Sequence, residues 1–254
     1  MLLNITMITQ THKYGIILFL AVILIYSILT KYEYKIFDGF ANEAKGLDSM
    51  DGIVYINLDN RDDRKQLILK ELELMGAPPN KIQRVAGVYI PKNGHKGCVQ
   101  GHIIALRLAL MNNWRQIAIF EDDAEISTKS PDEFKEQLSG ALDELTRIGK
   151  WDILLLATAN KQETSLPDKK YISRVTGSTT SSGYIIKSHY YEKLLGLFEY
   201  INTMMEKDKW TAGGHEPWAL DQKWIDLQKL DAWYCCKSDI IKQRASKSTI
   251  NNRE

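Results

Sequence analysis

Three adjacent carboxylates, those of Glu121, Asp122 and Asp123, follow directly after the predicted strand 115–120, whose last four residues are apolar. Crowded carboxylates raise one another's pKa values, so a cation that neutralises them is a favourable arrangement. Their hard oxygen atoms suit magnesium or manganese, and such an ion can bridge two phosphates and stabilise departing negative charge. The cluster therefore predicts a divalent-cation site, with an ordinary solvated turn as the alternative.

A second group of charged residues follows the first apolar, β-branched run of the chain, residues 53–58. These residues are Asp59, Arg61 and Arg64. Carboxylate and guanidinium groups can bind the base, ribose or phosphates of a nucleotide. For the two arginines, the alternative is a helix start with surface side chains.

His102 follows Gly101 at the predicted beginning of a helix over residues 100–112. A histidine at a helix start can donate to a phosphate, or it can satisfy its own turn. Cys98 lies in an apolar stretch without a base at a suitable spacing, so we interpret it as a packing residue.

Strands and helices alternate through the region that must position these side chains. The predicted strands are 53–58, 81–85, 115–120 and 151–156, and the predicted helices are 64–75, 100–112 and 132–148. Gly76 is placed to end the first helix. Such alternation predicts an α/β sandwich with a largely parallel sheet, whose ligands bind beyond the carboxyl ends of the strands.

The first fifty residues carry a different signal. Residues 14–30 are continuous, apolar and uncharged, which predicts a short transmembrane anchor after an N-terminal tail, residues 1–13. A cleaved signal peptide is the alternative, but no A-x-A-like site follows the run. We assign residues 31–51 to a stem and residues 52–254 to one folded domain.

Composition excludes one class of partner. The 33 Lys and Arg residues nearly balance 32 Asp and Glu residues, so no overall field favours binding of a nucleic acid. Three cysteines cannot form a disulfide framework, and the neighbours Cys235 and Cys236 are poorly placed to bond each other.

Six blocks of the chain, in order, resemble glycosyltransferase family 25, which includes procollagen galactosyltransferases and bacterial lipopolysaccharide glycosyltransferases. The blocks are 54–64, 84–87, Gly97-Cys98-Val99-Gln100-Gly101-His102, 117–123, 180–186 and 221–224. Gly101 departs from the pattern, since the family commonly has serine before this histidine.

The resemblance implies a GT-A-like fold that binds a UDP-sugar with Mn²⁺ or Mg²⁺. It implies transfer of a hexose, galactose or glucose, with inversion to a hydroxyl of a glycan, lipopolysaccharide or hydroxylysine-type acceptor. The nucleotide-sugar residues would be Asn57, Leu58, Asp59, Arg61, Arg64, His102, Glu121 and Asp122, and the metal ligands Asp123, Glu121 and His215. By analogy, the protein is a single-pass type II membrane protein whose domain faces a lumen, that of the endoplasmic reticulum or Golgi in a eukaryotic or viral host.

Inverting transfer needs a base that takes the proton of the acceptor hydroxyl. Asp221 is the first candidate and Glu216 the second, because both lie in the Gly-rich, aromatic segment 213–221. The alternatives are a helix N-cap for Asp221, a solvated Glu216 and an exposed loop histidine for His215.

Two other functions share these residues. A membrane-tethered carbohydrate-binding or adaptor domain would keep the fold without turnover. A metal-dependent phosphohydrolase would use the same acids without transferring a sugar.

Overall fold

The computed structural model describes Leu24, residues 46–207 and residues 218–245. Apart from Leu24, the predicted anchor 14–30 lies outside the described residues, as do Glu216 and His215. Within the described part of the chain, no helix is long and apolar enough to cross a bilayer.

Contacts divide the chain into two compact units, Met1–Ala44 and Lys45–Glu254. The second unit contains all the elements named below. Its strands are β1 (Gly52–Asn57), β2 (Ile82–Ala86), β3 (Gln116–Glu121), β4 (Ala124–Ile126), β5 (Ile153–Leu155), β6 (Ala159–Ser165), β7 (Ile172–Thr179), β8 (Gly183–Lys187), β9 (Trp233–Cys236) and β10 (Ile241–Gln243). Its α-helices are α1 (Asp62–Leu74), α2 (Gly94–Met111), α3 (Pro131–Ile148), α4 (Ser188–Lys207), α5 (Leu220–Lys223) and α6 (Ile225–Leu230). Short 3₁₀ helices span Leu47–Ser49 and Pro79–Lys81.

An eight-stranded sheet with the order β2-β1-β3-β8-β5-β9-β7-β6 forms the middle layer. β1 is parallel to β2 and β3, and β5 is parallel to β9. β8 is antiparallel to both β3 and β5, and β7 is antiparallel to β9 and β6. Since β8 and β7 alone run against the other strands of this sheet, the predicted mixed α/β fold with a mostly parallel sheet is confirmed. The two reversed strands were not predicted.

Helices cover both faces of this sheet because successive strand residues point to opposite sides. Ile53 and Tyr55 of β1 pack on the face covered by α1 and α3, whereas Val54 packs on the face covered by α2 and α4. Both clusters are almost fully buried, and each large aliphatic side chain in them contributes about 1.5–3 kcal/mol. The arrangement is an α/β/α sandwich.

Two predicted boundaries differ from the structure. Helix α2 begins at Gly94, where the Asn93 side chain accepts a hydrogen bond from the Lys96 amide at 3.0 Å, and not near residue 100. The prediction that His102 opens this helix is therefore wrong, because His102 lies well inside it. Leu47 and Met50 are buried in the core, so the folded domain includes residues that we assigned to the stem.

Candidate active site

The three acids stand where the carboxyl ends of parallel strands meet. Glu121 is the last residue of β3, and its backbone pairs with Ile56 near the end of β1. Asn57 then reaches across, and its amide donates to Asp122 Oδ2 at 2.8 Å. The sheet thus places the acids in the crevice that open α/β sheets use for ligands.

Hydrogen bonds from two neighbouring side chains fix the Asp122 carboxylate. Its carboxylate accepts hydrogen bonds from Arg64 Nη1 at 2.9 Å and from Asn57, and both Asp122 and Arg64 are buried. Removing one member of a buried ion pair typically costs about 3–5 kcal/mol. Loss of either Asp122 or Arg64 alone would therefore destabilise this end of the sheet.

Asp123 has an oxygen atom without a hydrogen-bond partner among the described residues, which Asp122 lacks. Its Oδ2 accepts from the Gln243 amide at 3.1 Å and lies 3.6 Å from Arg64 Nη1. Its Oδ1 is buried and has no hydrogen-bond partner among the described residues. Burial, together with the negative charge of Glu121, raises the pKa of Asp123 to about 7. A buried carboxylate oxygen without a partner fits a hard divalent cation, which would satisfy it.

Glu121 has the opposite electrostatic environment. Its Oε1 accepts from the Ser181 hydroxyl and lies 3.3 Å from His102 Nε2. Burial favours a higher pKa, but the hydrogen bond and charge of His102 and the hydrogen bond of Ser181 outweigh it and lower the pKa of Glu121. The two acids thus differ in protonation, an arrangement in which one carboxylate stays ionised while the other can exchange a proton near neutral pH.

His102 contacts Glu121 from helix α2 and fixes its position. The ring is fully buried in α2, and its Nδ1 lies 2.9 Å from the Tyr184 hydroxyl of β8. Strand β8 runs against β3, so the turn that precedes it reaches the carboxyl end of β3 and carries Ser181 to Glu121. This contact depends on the reversed strand, which explains why sequence reasoning missed Ser181.

Two clefts open on either side of Glu121. The first cleft has an empty volume of about 680 Å³ including its solvent-facing part, and lies between the end of β1, residues 87–90, the start of α2 and the three acids. The second cleft, of about 780 Å³, lies among residues 179–181, Asp221 and Gln243. Glu121 and Cys98 line both clefts.

Gly97 shapes the first cleft. A Cβ atom at this position would lie 2.2 Å from the Val88 carbonyl oxygen, so only glycine lets α2 approach the chain at residues 87–90 this closely. A Cβ at Gly101 would meet Ile56 Cγ2 at 2.8 Å. Ile56 thus fills the space next to Gly101.

Asp221 lies in the second cleft. Its Oδ2 accepts a hydrogen bond from the Thr180 amide at 2.9 Å, and Thr180 has a left-handed backbone with φ 73°. Burial raises the pKa of Asp221. The N-cap of α5 is Ala219, so the alternative that Asp221 caps this helix is wrong.

Of the remaining sequence candidates, one lines a cleft, two pair with other residues away from the cleft walls, and two lie outside the described residues. Asp59 pairs with Arg84 at 2.6 Å, and Arg61 pairs with Asp63 at 2.7 Å; neither lines the two clefts. Leu58 lines the first cleft. Glu216 and His215 belong to the part of the chain that is not described.

Sequence reasoning also missed Gln243, and it did not place Cys98 beside Glu121. Gln243 reaches Asp123 from β10, which pairs with β4, and nothing near it in the sequence indicates this. Cys98 was interpreted as packing, yet its thiol lies 3.8 Å from Glu121 Oε1. Its spacing of four residues from His102 was the signal, since residues i and i+4 share a helix face.

The chain is similar to known glycosyltransferases. Residues 89–211 match the family model described as glycosyltransferase family 25 (LPS biosynthesis protein). A relative from Anopheles gambiae, described as a glycosyltransferase 25 family member, is 22% identical over 203 residues, which cover 65% of this chain and 34% of the relative. The chain thus spans about a third of the length of that relative.

Superpositions on solved structures give low TM-scores. A mannose-1-phosphate geranyltransferase from Thermus thermophilus has a TM-score of 0.42 at 10% identity, covering 76% of this chain and 73% of that one. A glycosyltransferase involved in glycosylation of the major capsid of PBCV-1 has a TM-score of 0.39 at 8% identity, covering 73% and 92%. Superpositions at this level carry no assignment, whereas the two sequence matches support glycosyltransferase family 25.

Proposed function

We propose that the chain transfers a hexose, galactose or glucose, from a UDP-sugar to a hydroxyl of a glycan, lipopolysaccharide or hydroxylysine-type acceptor, with inversion. The observation that carries this proposal is the Asp123 carboxylate, whose buried Oδ1 has no partner among the described residues at the edge of the first cleft. Similarity to a glycosyltransferase family supports a nucleotide-sugar donor.

The first cleft is the proposed site of the nucleotide. Asn57, Leu58, Arg64 and His102 line it together with the acids, and Tyr89 presents an exposed aromatic ring beside them. An aromatic ring can stack on a nucleobase, while polar groups below it bind the ribose and phosphates. For Asp59 and Arg61 to take part, both must leave their present ion-pair partners.

Asp123 and Glu121 are the proposed ligands of Mn²⁺ or Mg²⁺, with His215 as the third. When bound, the ion supplies positive charge that stabilises the departing diphosphate. Arg64 neutralises Asp122, so that the crowded acids do not all compete for one cation.

Asp221 is the proposed base in the second cleft, and Glu216 is the second candidate. Asp221 takes the proton of the acceptor hydroxyl while that oxygen forms a bond to the anomeric carbon. The bond from this carbon to the diphosphate oxygen breaks on the opposite face, and its electron pair leaves with UDP. The raised pKa of Asp221 makes it a stronger base than an ordinary carboxylate.

A membrane anchor over residues 14–30 with a lumen-facing domain is also part of the proposal. Its test is extraction of the full-length protein from membranes. Release by alkaline carbonate without detergent would contradict an anchor, and digestion by protease added to intact vesicles would contradict a lumenal domain.

The central experiment measures UDP release by residues 45–254 from a panel of UDP-sugars, with Mn²⁺ and with glycan acceptors. We expect release to depend on one donor and on an acceptor, and to be lost in Asp123→Asn. The matched control is Asp226→Asn, a surface acid paired with Lys229 that we expect to change nothing.

Two outcomes would redirect the assignment. Phosphate release without sugar transfer, and without preference for a UDP donor, would favour a phosphohydrolase. Glycan binding without any turnover would favour the adaptor function.

A further inference from the structure

A sulfur, a nitrogen and an oxygen atom converge where the two clefts meet. Cys98 and His102 stand one turn apart on α2, and Glu121 faces them from the end of β3. His102 Nε2 lies 3.3 Å from Glu121 Oε1, and Cys98 Sγ lies 3.8 Å from the same oxygen. The three potential ligand atoms lie within 4.8 Å of one another.

The two separations from Glu121 Oε1 match those of a tetrahedral metal site. Bonds of about 2.0–2.3 Å arranged tetrahedrally place ligand atoms roughly 3.3–3.8 Å apart. We propose that Cys98, His102 and Glu121 form a site for a borderline-soft transition metal, with Zn²⁺ as the representative ion. Three protein ligands leave the fourth position to water or to a bound substrate.

The groups around these ligands already fix their orientation. The Tyr184 hydroxyl holds His102 Nδ1 at 2.9 Å, which leaves Nε2 directed at Glu121. The Ser181 hydroxyl donates to Glu121. Metal-binding histidines and carboxylates are commonly held in this way by a second hydrogen bond.

The ion can enter from solvent because Cys98 and Glu121 line both clefts. On binding, the Cys98 thiol gives its proton to solvent. His102 changes tautomer by exchange with solvent, so that Nε2 loses its proton and Nδ1 carries one that it donates to the Tyr184 hydroxyl. Bonds to the metal then replace the hydrogen bond between His102 and Glu121. The thiolate and imidazole ligands favour zinc, whereas the oxygen ligands around Asp123 favour manganese or magnesium. The two sites share Glu121 and differ in the class of ion that they select.

One consequence rests on the proposed function. An ion bound at Cys98 and His102 withdraws Glu121 from the hard-cation site beside it. Zn²⁺ therefore inhibits Mn²⁺-supported transfer, and because the two ions compete for Glu121, a sufficient excess of Mn²⁺ relieves the inhibition.

The test uses the full chain in detergent, without nucleotide sugar, and Co²⁺ as a spectroscopic substitute for Zn²⁺. We expect a near-ultraviolet thiolate-to-cobalt band at one equivalent, which Zn²⁺ abolishes. Cys98→Ala should lose the band, and the matched variant Cys236→Ala, whose thiol is buried elsewhere in the core, should keep it. Absence of the band in the unmodified protein, or its persistence in Cys98→Ala, overturns the proposal.

A second measurement needs no variant and so does not depend on how Cys98→Ala folds. Zn²⁺ should slow alkylation of Cys98 by iodoacetamide at least tenfold, as located by peptide mass; equal labelling with and without Zn²⁺ overturns the proposal. Both measurements are made without a sugar donor. If the protein transfers no sugar but binds Co²⁺ through Cys98, the proposed function fails and the metal site stands.

Discussion

In the Asp123→Asn variant the buried carboxylate becomes a neutral amide of nearly the same shape. In the absence of metal, we expect this variant to gain stability relative to the unmodified protein as pH rises. The pKa of Asp123 is raised from 3.8 to about 7 in the folded protein. Between pH 3.8 and about pH 7, the Asp123 carboxyl group is ionised in the unfolded chain but still protonated in the folded protein. Stability of the unmodified protein therefore falls as pH rises through this window and levels off above it.

The size of the effect follows from the pKa shift. About three pKa units at about 1.36 kcal/mol each give roughly 4 kcal/mol when the window has been crossed. Between pH 5 and pH 8, the stability difference between variant and unmodified protein should grow by roughly 2–3 kcal/mol in favour of the variant. The amide has its own cost of burial, but this cost is the same at both pH values and cancels.

The assay is urea unfolding of residues 45–254 in EDTA, followed by tryptophan fluorescence at the two pH values. Asp226→Asn is the control, because its side chain is largely exposed and surface substitutions change stability by about 0.5 kcal/mol or less. Mn²⁺ at about 100 times its Kd should then stabilise the unmodified protein by about 2.7 kcal/mol and leave Asp123→Asn unchanged. A pH-independent difference, or one that shrinks towards pH 8, would refute the reasoning.

Three further substitutions test other parts of the site. Asp221→Asn should lower kcat by about 10²–10⁴-fold with little change in donor KM, and an unchanged kcat in steady-state transfer assays would rule out Asp221 as the base. Arg64→Met should lower the free energy of unfolding in urea by about 3–5 kcal/mol, because it leaves Asp122 charged and buried. The double variant Arg64→Met with Asp122→Leu should recover most of this loss. A double variant that recovers nothing would show that the broken ion pair is not the cause. Gly97→Ala should destabilise the protein and weaken UDP binding, as measured by calorimetry. The control Gly196→Ala lies at an open helix position and should raise the free energy of unfolding by up to about 1 kcal/mol. Equal changes in stability for the two variants would contradict the close approach of the chain at Gly97.

Apolar periodicity and turn residues predicted several individual strands and helices, because these depend on interactions between residues close in sequence. Apolar β-branched runs marked β1, β3 and β5, and the amphipathic pattern of residues 132–148 marked α3. Gly76 ends α1 with φ 78°, as its position after the apolar pattern indicated. The acids then fell at the carboxyl end of a parallel strand, so their general location followed from the strand itself.

The errors have equally physical causes. The first turns of α2 contain Gly94, Gly97 and Gly101, and glycine has low helix propensity, so the sequence hid the true start of the helix. Strand β6 is polar and mostly exposed at the sheet edge, and therefore lacks the apolar pattern of a strand.

Side-chain partnerships between distant segments were out of reach of local patterns. Arg64 and Asp122 are 58 positions apart, and Gln243 and Asp123 are 120 apart. Both contacts depend on the register and order of strands, which no short segment encodes. For this reason the sequence located the three acids but did not show that Arg64 neutralises Asp122.

The position of Glu121 on the wall between the two clefts has a thermodynamic consequence. A ligand that moves this side chain in one cleft changes the free energy of binding in the other. Linkage requires the effect to be mutual, so the factor by which a ligand of one cleft changes affinity in the other equals the factor in the reverse direction. Equilibrium titrations of each ligand in the presence of the other should therefore yield one and the same coupling factor, set by the energetics of a single carboxylate.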